Sequence, residues 1–212
     1  MRTEIRRTDA SARDYYRLLT ALVVPRPIAW VSSTSAEGID NIAPHSFYTV
    51  ASVEPPVIQF TSVGAKDTLR NVEEIGEFVV HLASEDLFEQ VNATGTNFPP
   101  EISEFDAVGL TREPSLTVRP PRIREAAAAL ECRLHRIIPV GDCHLILGEV
   151  MHAAIAPGML DGSHPVLARL KPLSRLGLNE WGTTGQVLNR KRIRWQDWPG
   201  DFAGDATANP GR

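Results

Sequence analysis

The chain has 212 residues, 42% hydrophobic and 23% charged, with 22 basic against 26 acidic side chains and a formal net charge of −4. That length supports one generous domain with its own core, and the composition excludes a disordered chain or a coiled coil. A slightly acidic chain lacks the basic field of a general nucleic-acid binder; no apolar run nears the ~18 residues of a membrane span, and the charged N-terminus has no apolar secretory core. The expectation is a cytoplasmic protein without nucleic-acid or membrane partners.

In chain order, residues 1–15 are a polar segment, and 12–19 have a short helical look. Pro25 and Pro27 flank Arg26 and forbid a helix there. The β-branched and aromatic run 28–34 predicts a strand. Residues 36–41 read as a turn, 46–53 as a second strand broken by Glu54-Pro55-Pro56, and 57–62 as a third. Leu69, Val72 and Ile75 have helical spacing, so 66–76 predicts a helix with Asp67 placed to cap it and Gly76 to stop it. A short buried strand at 78–82 and a helix at 84–91, capped by Ser84, follow. Residues 92–126 hold too many prolines for long elements; such an excursion is a candidate interface or lid. Two long strands, 127–140 and 144–155, joined by Gly141-Asp142, suit a barrel. Residues 157–185 read mostly as loop, 187–195 as a short helix or extended stretch, and 195–212 as a flexible tail. No repeat or linker divides the chain, so the fold class is mostly β (α+β).

Cys132 and Cys143 lie in apolar, strand-like stretches and read as buried free thiols, with a disulfide as the alternative. Dinucleotide-fold, P-loop, zincin and nucleophile-elbow motifs are all missing. The six histidines read as ordinary strand residues, so no metal site is expected. Two stretches carry chemistry. Ser32, Ser33 and Thr34 end a strand, and a turn leads to Asn41-Ile42-Ala43-Pro44-His45-Ser46-Phe47, which reads as a ligand-facing segment or as a polar hairpin. Thr61-Ser62-Val63-Gly64-Ala65-Lys66-Asp67-Thr68 is a strand, a small-residue turn and a helix start beside a lysine. Free N–H groups, hydroxyls and an ammonium suit a phosphate; an ordinary capped helix remains the other reading.

These residues carry a resemblance. Arg26-Pro27-Ile28-Ala29-Trp30-Val31-Ser32-Ser33, Gly38, Asn41 through Phe47, Pro55-Pro56, Lys66-Asp67-Thr68-Leu69-Arg70-Asn71, Gly148-Glu149-Val150 and Leu173-Ser174-Arg175-Leu176-Gly177 are similar in order and spacing to the flavin reductase-like family. The resemblance implies an FMN-binding split β-barrel over residues 16–194, with a few peripheral helices, as a homodimer with flavin near the subunit interface. It implies FMN as cofactor, NAD(P)H as electron donor, and a monooxygenase or electron-transfer protein as partner. By the same resemblance Ser32, Ser33 and Thr34 lie along the flavin. Asn41, Ala43, Pro44, Ser46 and Phe47 contact its ring and ribityl chain. Thr61, Ser62, Lys66, Asp67 and Thr68 hold the phosphate, and Asn71 braces that turn. His45, His144 and Trp181 are candidates for substrate contacts. No catalytic acid or base is assigned, because the cofactor carries the chemistry. Cys143 stands where reductases of the family often carry histidine, and Trp181 where a tyrosine is common. The first departure motivates one alternative, a flavoredoxin-like electron carrier without NAD(P)H activity; a non-enzymatic FMN-binding protein is the alternative of a different class.

Overall fold

The computed structural model describes residues 2–198. Seven strands build one antiparallel sheet: β1 (Ala29–Thr34), β2 (Asp40–His45), β3 (Tyr48–Ser52), β4 (Val57–Val63), β5 (Glu77–Leu82), β6 (Ala128–Val140) and β7 (Cys143–Ile155), in the order β2-β1-β5-β6-β7-β4-β3. β2 and β3 lie at opposite edges, yet only Ser46 and Phe47 separate them. Laid flat, six inter-strand steps would hold those edges ~29 Å apart, whereas so short a link reaches only ~10 Å. The sheet therefore curls until its edges meet. Thr61 N–H donates to Phe47 O at 2.9 Å, and His45 Nδ1 lies 3.3 Å from Thr61 O. No ladder joins β2 to β3 or β4, so the barrel stays split along this seam.

Strand alternation sorts side chains between two cores. Ala29 and Val31 of β1 face Ile58, Phe60, Phe78, Val80, Cys132 and Ile146, joined by Leu69 and Val72 of α2 (Asp67–Ile75). Ile28 and Trp30 face the other way, onto Val91 of α3 (Phe88–Ala93), Phe105 of α4 (Glu104–Ala107) and Ile123. With both faces covered, all six residues of β1 are buried. Gly148 lies in β7 where its register with β6 shifts. A Cβ there would sit 2.2 Å from Cζ of the fully buried Phe78. Gly148→Ala is expected to destabilise the fold by about 3 kcal/mol through overpacking. In urea this reads as a lower midpoint with an unchanged slope; an unmoved midpoint would mean that Phe78 yields freely.

Several elements differ from the sequence expectation. β2 occupies residues that read as turn and as ligand-facing segment or polar hairpin; its Pro44 is accommodated because an edge strand tolerates a residue with no N–H to donate. The strand expected from residue 46 begins at Tyr48. Asp67 is not the cap of α2: Lys66 occupies that position without a side-chain bond, and Asp67, one residue inside, pairs with Arg70 at 2.7 Å. Ser84 likewise caps nothing with its hydroxyl; a 3-10 turn at Glu85–Leu87 precedes α3. The first helix, α1, runs Ala12–Leu22, with Ser11 Oγ accepting from Asp14 N–H at 3.1 Å. The 92–126 excursion contains α4 and a ribbon pairing Arg112–Glu113 with Arg122–Ile123. Glu131, fully buried on β6, ties that excursion down by accepting from the N–H groups of Leu116 and Thr117 and from the Thr117 hydroxyl, the last at 2.7 Å. Gly76 ends α2 at φ +73° in the left-handed region that glycine favours. Both cysteines are free thiols, Cys132 buried and Cys143 half-buried. Trp195–Asp197 form a 3-10 turn; the rest of the expected tail, 199–212, lies outside the described residues.

Candidate functional site

The seam opens into a cleft of about 390 Å³. One wall is β2 and its link: Asn41, Ala43, Pro44, His45, Ser46 and Phe47. The second is the end of β4 and the start of α2: Thr61, Val63, Ala65, Lys66, Asp67 and Thr68. The third comes from the excursion, Thr94 to Phe98 with Pro100 and Glu104, and Tyr16 of α1 leans over the rim with its ring 6.5 Å from that of Phe47.

At the α2 end, the first N–H groups of a nine-residue helix have no partner within the helix. They and the positive end of the helix dipole meet the hydroxyls of Thr61 and Thr68 and the exposed Lys66 ammonium. The Asp67 carboxylate, also on this wall, has its charge matched by Arg70. Thr68 Oγ1 donates to Asn41 Oδ1 at 3.0 Å, and Asn71 Nδ2 donates to Ser33 Oγ at 3.1 Å. Ser33 lies directly opposite Asn41 in the β1–β2 ladder, so α2, β1 and β2 are locked into one polar brace.

His45 is buried between this brace and the core, its ring 4.8 Å from that of Phe60. Burial pushes its imidazole down to about 4, and the Lys66 charge adds to this against the bond to Thr61. The neutral ring donates from Nδ1 to Thr61 O, since a carbonyl only accepts. Nε2 is then an acceptor, and it has no protein partner. Glu104 Oε2 accepts from Ile42 N–H at 2.9 Å and so covers the free edge of β2; burial raises its carboxyl above the usual range.

The sequence profile of the flavin reductase-like domain matches residues 21–169. The chain belongs to the flavin reductase-like family. It is 43% identical over 179 residues to a protein of Aquifex aeolicus, covering 82% of this chain and 90% of that one. Its fold is similar to nitrilotriacetate monooxygenase component B from Bacillus cereus, with TM-score 0.86, 34% identity and coverage of 90% of this chain and 99% of that one. It is equally similar to the 2-nitrobenzoate 2-nitroreductase NbaA of Pseudomonas fluorescens, with TM-score 0.86, 31% identity and coverage of 93% and 100%. The barrel is thus the split barrel of a flavin-related oxidoreductase.

In this flavin reductase-like chain the cleft gathers Asn41, Ala43, Pro44, His45, Ser46, Phe47, Thr61, Lys66, Asp67 and Thr68. Ser33 and Asn71 stand behind it in the brace. Ser32, Thr34, Ser62 and His144 belong neither to the cleft lining nor to the brace. Ser32 and Thr34 lie on the opposite face of β1 from Ser33: Ser32 Oγ donates to Pro121 O and Thr34 Oγ1 to Asp40 Oδ1, both at 2.7 Å. Ser62, fully buried on β4, donates to Gly64 O. His144, opposite Ser62 at the start of β7, also lies outside the cleft. Trp181 lines an adjoining pocket of about 240 Å³ that shares Pro44, Ser46 and Gly95 with the cleft.

Sequence reasoning missed Tyr16, the 94–98 segment and Glu104. The Trp30 indole anchors the segment by donating to Thr94 Oγ1 at 2.9 Å. A Cβ on Gly95 would meet Asn92 O at 3.2 Å and Pro44 Cγ at 3.5 Å, so the backbone approaches the β2 wall closely there. The run of small polar residues at 94–97 was the available signal. Among the described residues no cluster of His, Cys, Asp and Glu could hold a metal ion, and no helix is long and apolar enough to cross a membrane.

Proposed function

We propose that the cleft binds FMN and that the chain is a cytoplasmic, homodimeric oxidoreductase drawing electrons from NADH or NADPH for a partner protein or another acceptor. The observation that carries this reading is the unsatisfied helix start of α2, with Lys66, Thr61 and Thr68, opening onto a cleft whose other walls bring Ala43, Pro44, Ser46, Phe47, Gly95 and Phe98 together. The residues fit the cofactor: α2 and Lys66 match a phosphate dianion, and the unpartnered Nε2 of buried His45 can accept from a polar group seated above it. FMN, once bound, supplies the two-electron chemistry.

The chain's residues bind and orient. Lys66, the Thr61 hydroxyl and the α2 N–H groups, that of Thr68 among them, hold the phosphate, with Asp67 kept from opposing it by Arg70. Ala43, Pro44, Ser46 and Phe47 lie along the ring and ribityl chain, with Tyr16 and the 94–98 segment shielding them from water. Asn41 is held in place by Thr68, and Ser33 and Asn71 are positioning residues behind it. The excursion at 92–126 is the candidate dimer contact. The monooxygenase component among the structural neighbours favours a monooxygenase as partner.

The test is an anaerobic absorbance scan of the protein with FMN, before and after NADH and then NADPH. Bleaching of the visible flavin band faster than for free FMN is the expected result. A bound yellow band that neither nucleotide bleaches would replace this reading with an electron carrier or a non-catalytic flavin-binding protein, the reading that Cys143 in the family's histidine position favours.

A further inference from the structure

The cleft does not end at Ser46. Tyr16 and Ser46 also line a second cleft of about 470 Å³, whose charged lining residues are Arg13, Arg17, Arg26 and Arg175. No carboxylate lines it; the nearest one paired with its arginines is Asp14, exposed and 3.8 Å from Arg17. The pocket against Trp181 shares Ser46 with both clefts and Arg175 with the second, so the three adjoin around Ser46.

Two of the four arginines are fixed. Arg26 is buried, with its guanidinium spanning the end of α1 through Thr20 O and Val23 O and reaching Leu176 O at 2.7 Å, while its Nε has no partner. Arg175 lies 4.5 Å above the Trp181 ring and is held by Leu178 O at 2.8 Å. Arg13 and Arg17 stand one turn apart on the exposed face of α1. Burial lowers the pKa of Arg26, and the charge of Arg175 adds to this against the effect of Tyr16. Four arginines lining one cleft in a chain of net charge −4 are a concentration of positive field that the exposed Asp14 offsets only in part. Guanidinium forks match phosphate oxygens.

We infer that this arginine-lined cleft holds the phosphate groups of the nucleotide electron donor, its 2′-phosphate included, and so selects NADPH over NADH. The inference rests on the donor proposed above, and the adjoining clefts supply the geometry: the redox-active end reaches past Trp181 toward the flavin cleft while the phosphates stay among the arginines. A ligand with more phosphate charge gains more from four cations than one with less.

The test uses fragments that cannot transfer hydride, so it does not depend on turnover. Binding of 2′,5′-ADP and of 5′-AMP to the FMN-loaded protein is measured by titration calorimetry at low and high salt. The expected result is that 2′,5′-ADP binds at least tenfold more tightly than 5′-AMP, and that salt weakens it. The double variant R13Q/R17Q and the single variant R175Q should each weaken 2′,5′-ADP at least tenfold while leaving the visible absorbance of bound flavin unchanged. Arg26 is left intact because it holds α1 to the barrel. Equal binding of the two fragments, or affinity for 2′,5′-ADP that both variants retain, overturns the inference. Fragment binding without bleaching by NADPH would keep the anion site and remove the reductase reading; bleaching by both nucleotides without fragment discrimination would do the reverse.

Discussion

Lowering the pH from 7 to 4.5 is expected to remove about 5 kcal/mol of folding stability, some 2–3 kcal/mol from each of His45 and His81. His81 is wholly enclosed. Burial brings its imidazole down to about 4, with the Arg122 charge adding to this against the bond to Trp30. Its two nitrogens are committed: Ile123 N–H donates to Nε2 at 2.9 Å, so Nδ1 carries the proton and donates to Trp30 O at 3.0 Å. A second proton has nowhere to go without breaking the Ile123 bond. Both histidines therefore titrate near 4 when folded and near the ordinary 6.5 when unfolded. As the pH falls through 6.5 the unfolded chain takes up protons that the folded chain refuses, and the loss grows until the folded groups titrate near 4. Glu104, its carboxyl raised by burial, acts in the opposite sense and softens the fall. Urea unfolding at pH 7, 6, 5 and 4.5 measures this; a stability that stays level down to 4.5 would show that the two imidazoles accept protons in place.

Lys66→Ala is expected to weaken FMN binding by roughly 10- to 100-fold, since a charge-assisted hydrogen bond contributes about 1.5–3 kcal/mol and each 1.4 kcal/mol is a factor of ten. The side chain is exposed and outside both cores, so the fold should be unaffected. Lys66→Arg should restore much of the affinity, because the charge matters more than the fork at a helix start. Quenching of free flavin fluorescence on titration with protein reports the dissociation constant directly. An alanine variant that binds FMN as tightly as the parent would move the phosphate away from α2.

Local pattern made part of this legible. Helical spacing located α2, β-branched runs located β1 and β4, and the paired long strands pointed to a barrel. The turn into α2 stood out by residue type alone as a place suited to a phosphate, because free N–H groups, hydroxyls and an ammonium are local features, and the structure gathers Thr61, Lys66 and Thr68 on one wall of the cleft. The same reasoning treated Ser32, Ser33 and Thr34 as one group, although strand alternation sends only Ser33 toward Asn41 and Asn71. Tyr16, Thr94 and Glu104 reach the cleft from α1, the end of α3 and α4, far from β2 in sequence, and only the closing of the barrel brings them there. The four arginines are a sharper case: three lie within residues 13–26 and the fourth at 175, and nothing in either segment announces the other.

The two-residue step from one edge of the sheet to the other has a consequence for the life of the protein in a cell. Unpaired strand edges invite association with other chains, and here a ligand gripping β2 on one side and β4 with α2 on the other would act as a removable rivet across the hoop. A ligand at 100 times its dissociation constant adds about 2.7 kcal/mol, a large share of the margin by which most domains stay folded. The amount of this chain that survives proteolysis should then follow the supply of flavin, making its abundance a gauge of the cofactor as well as a means of using it.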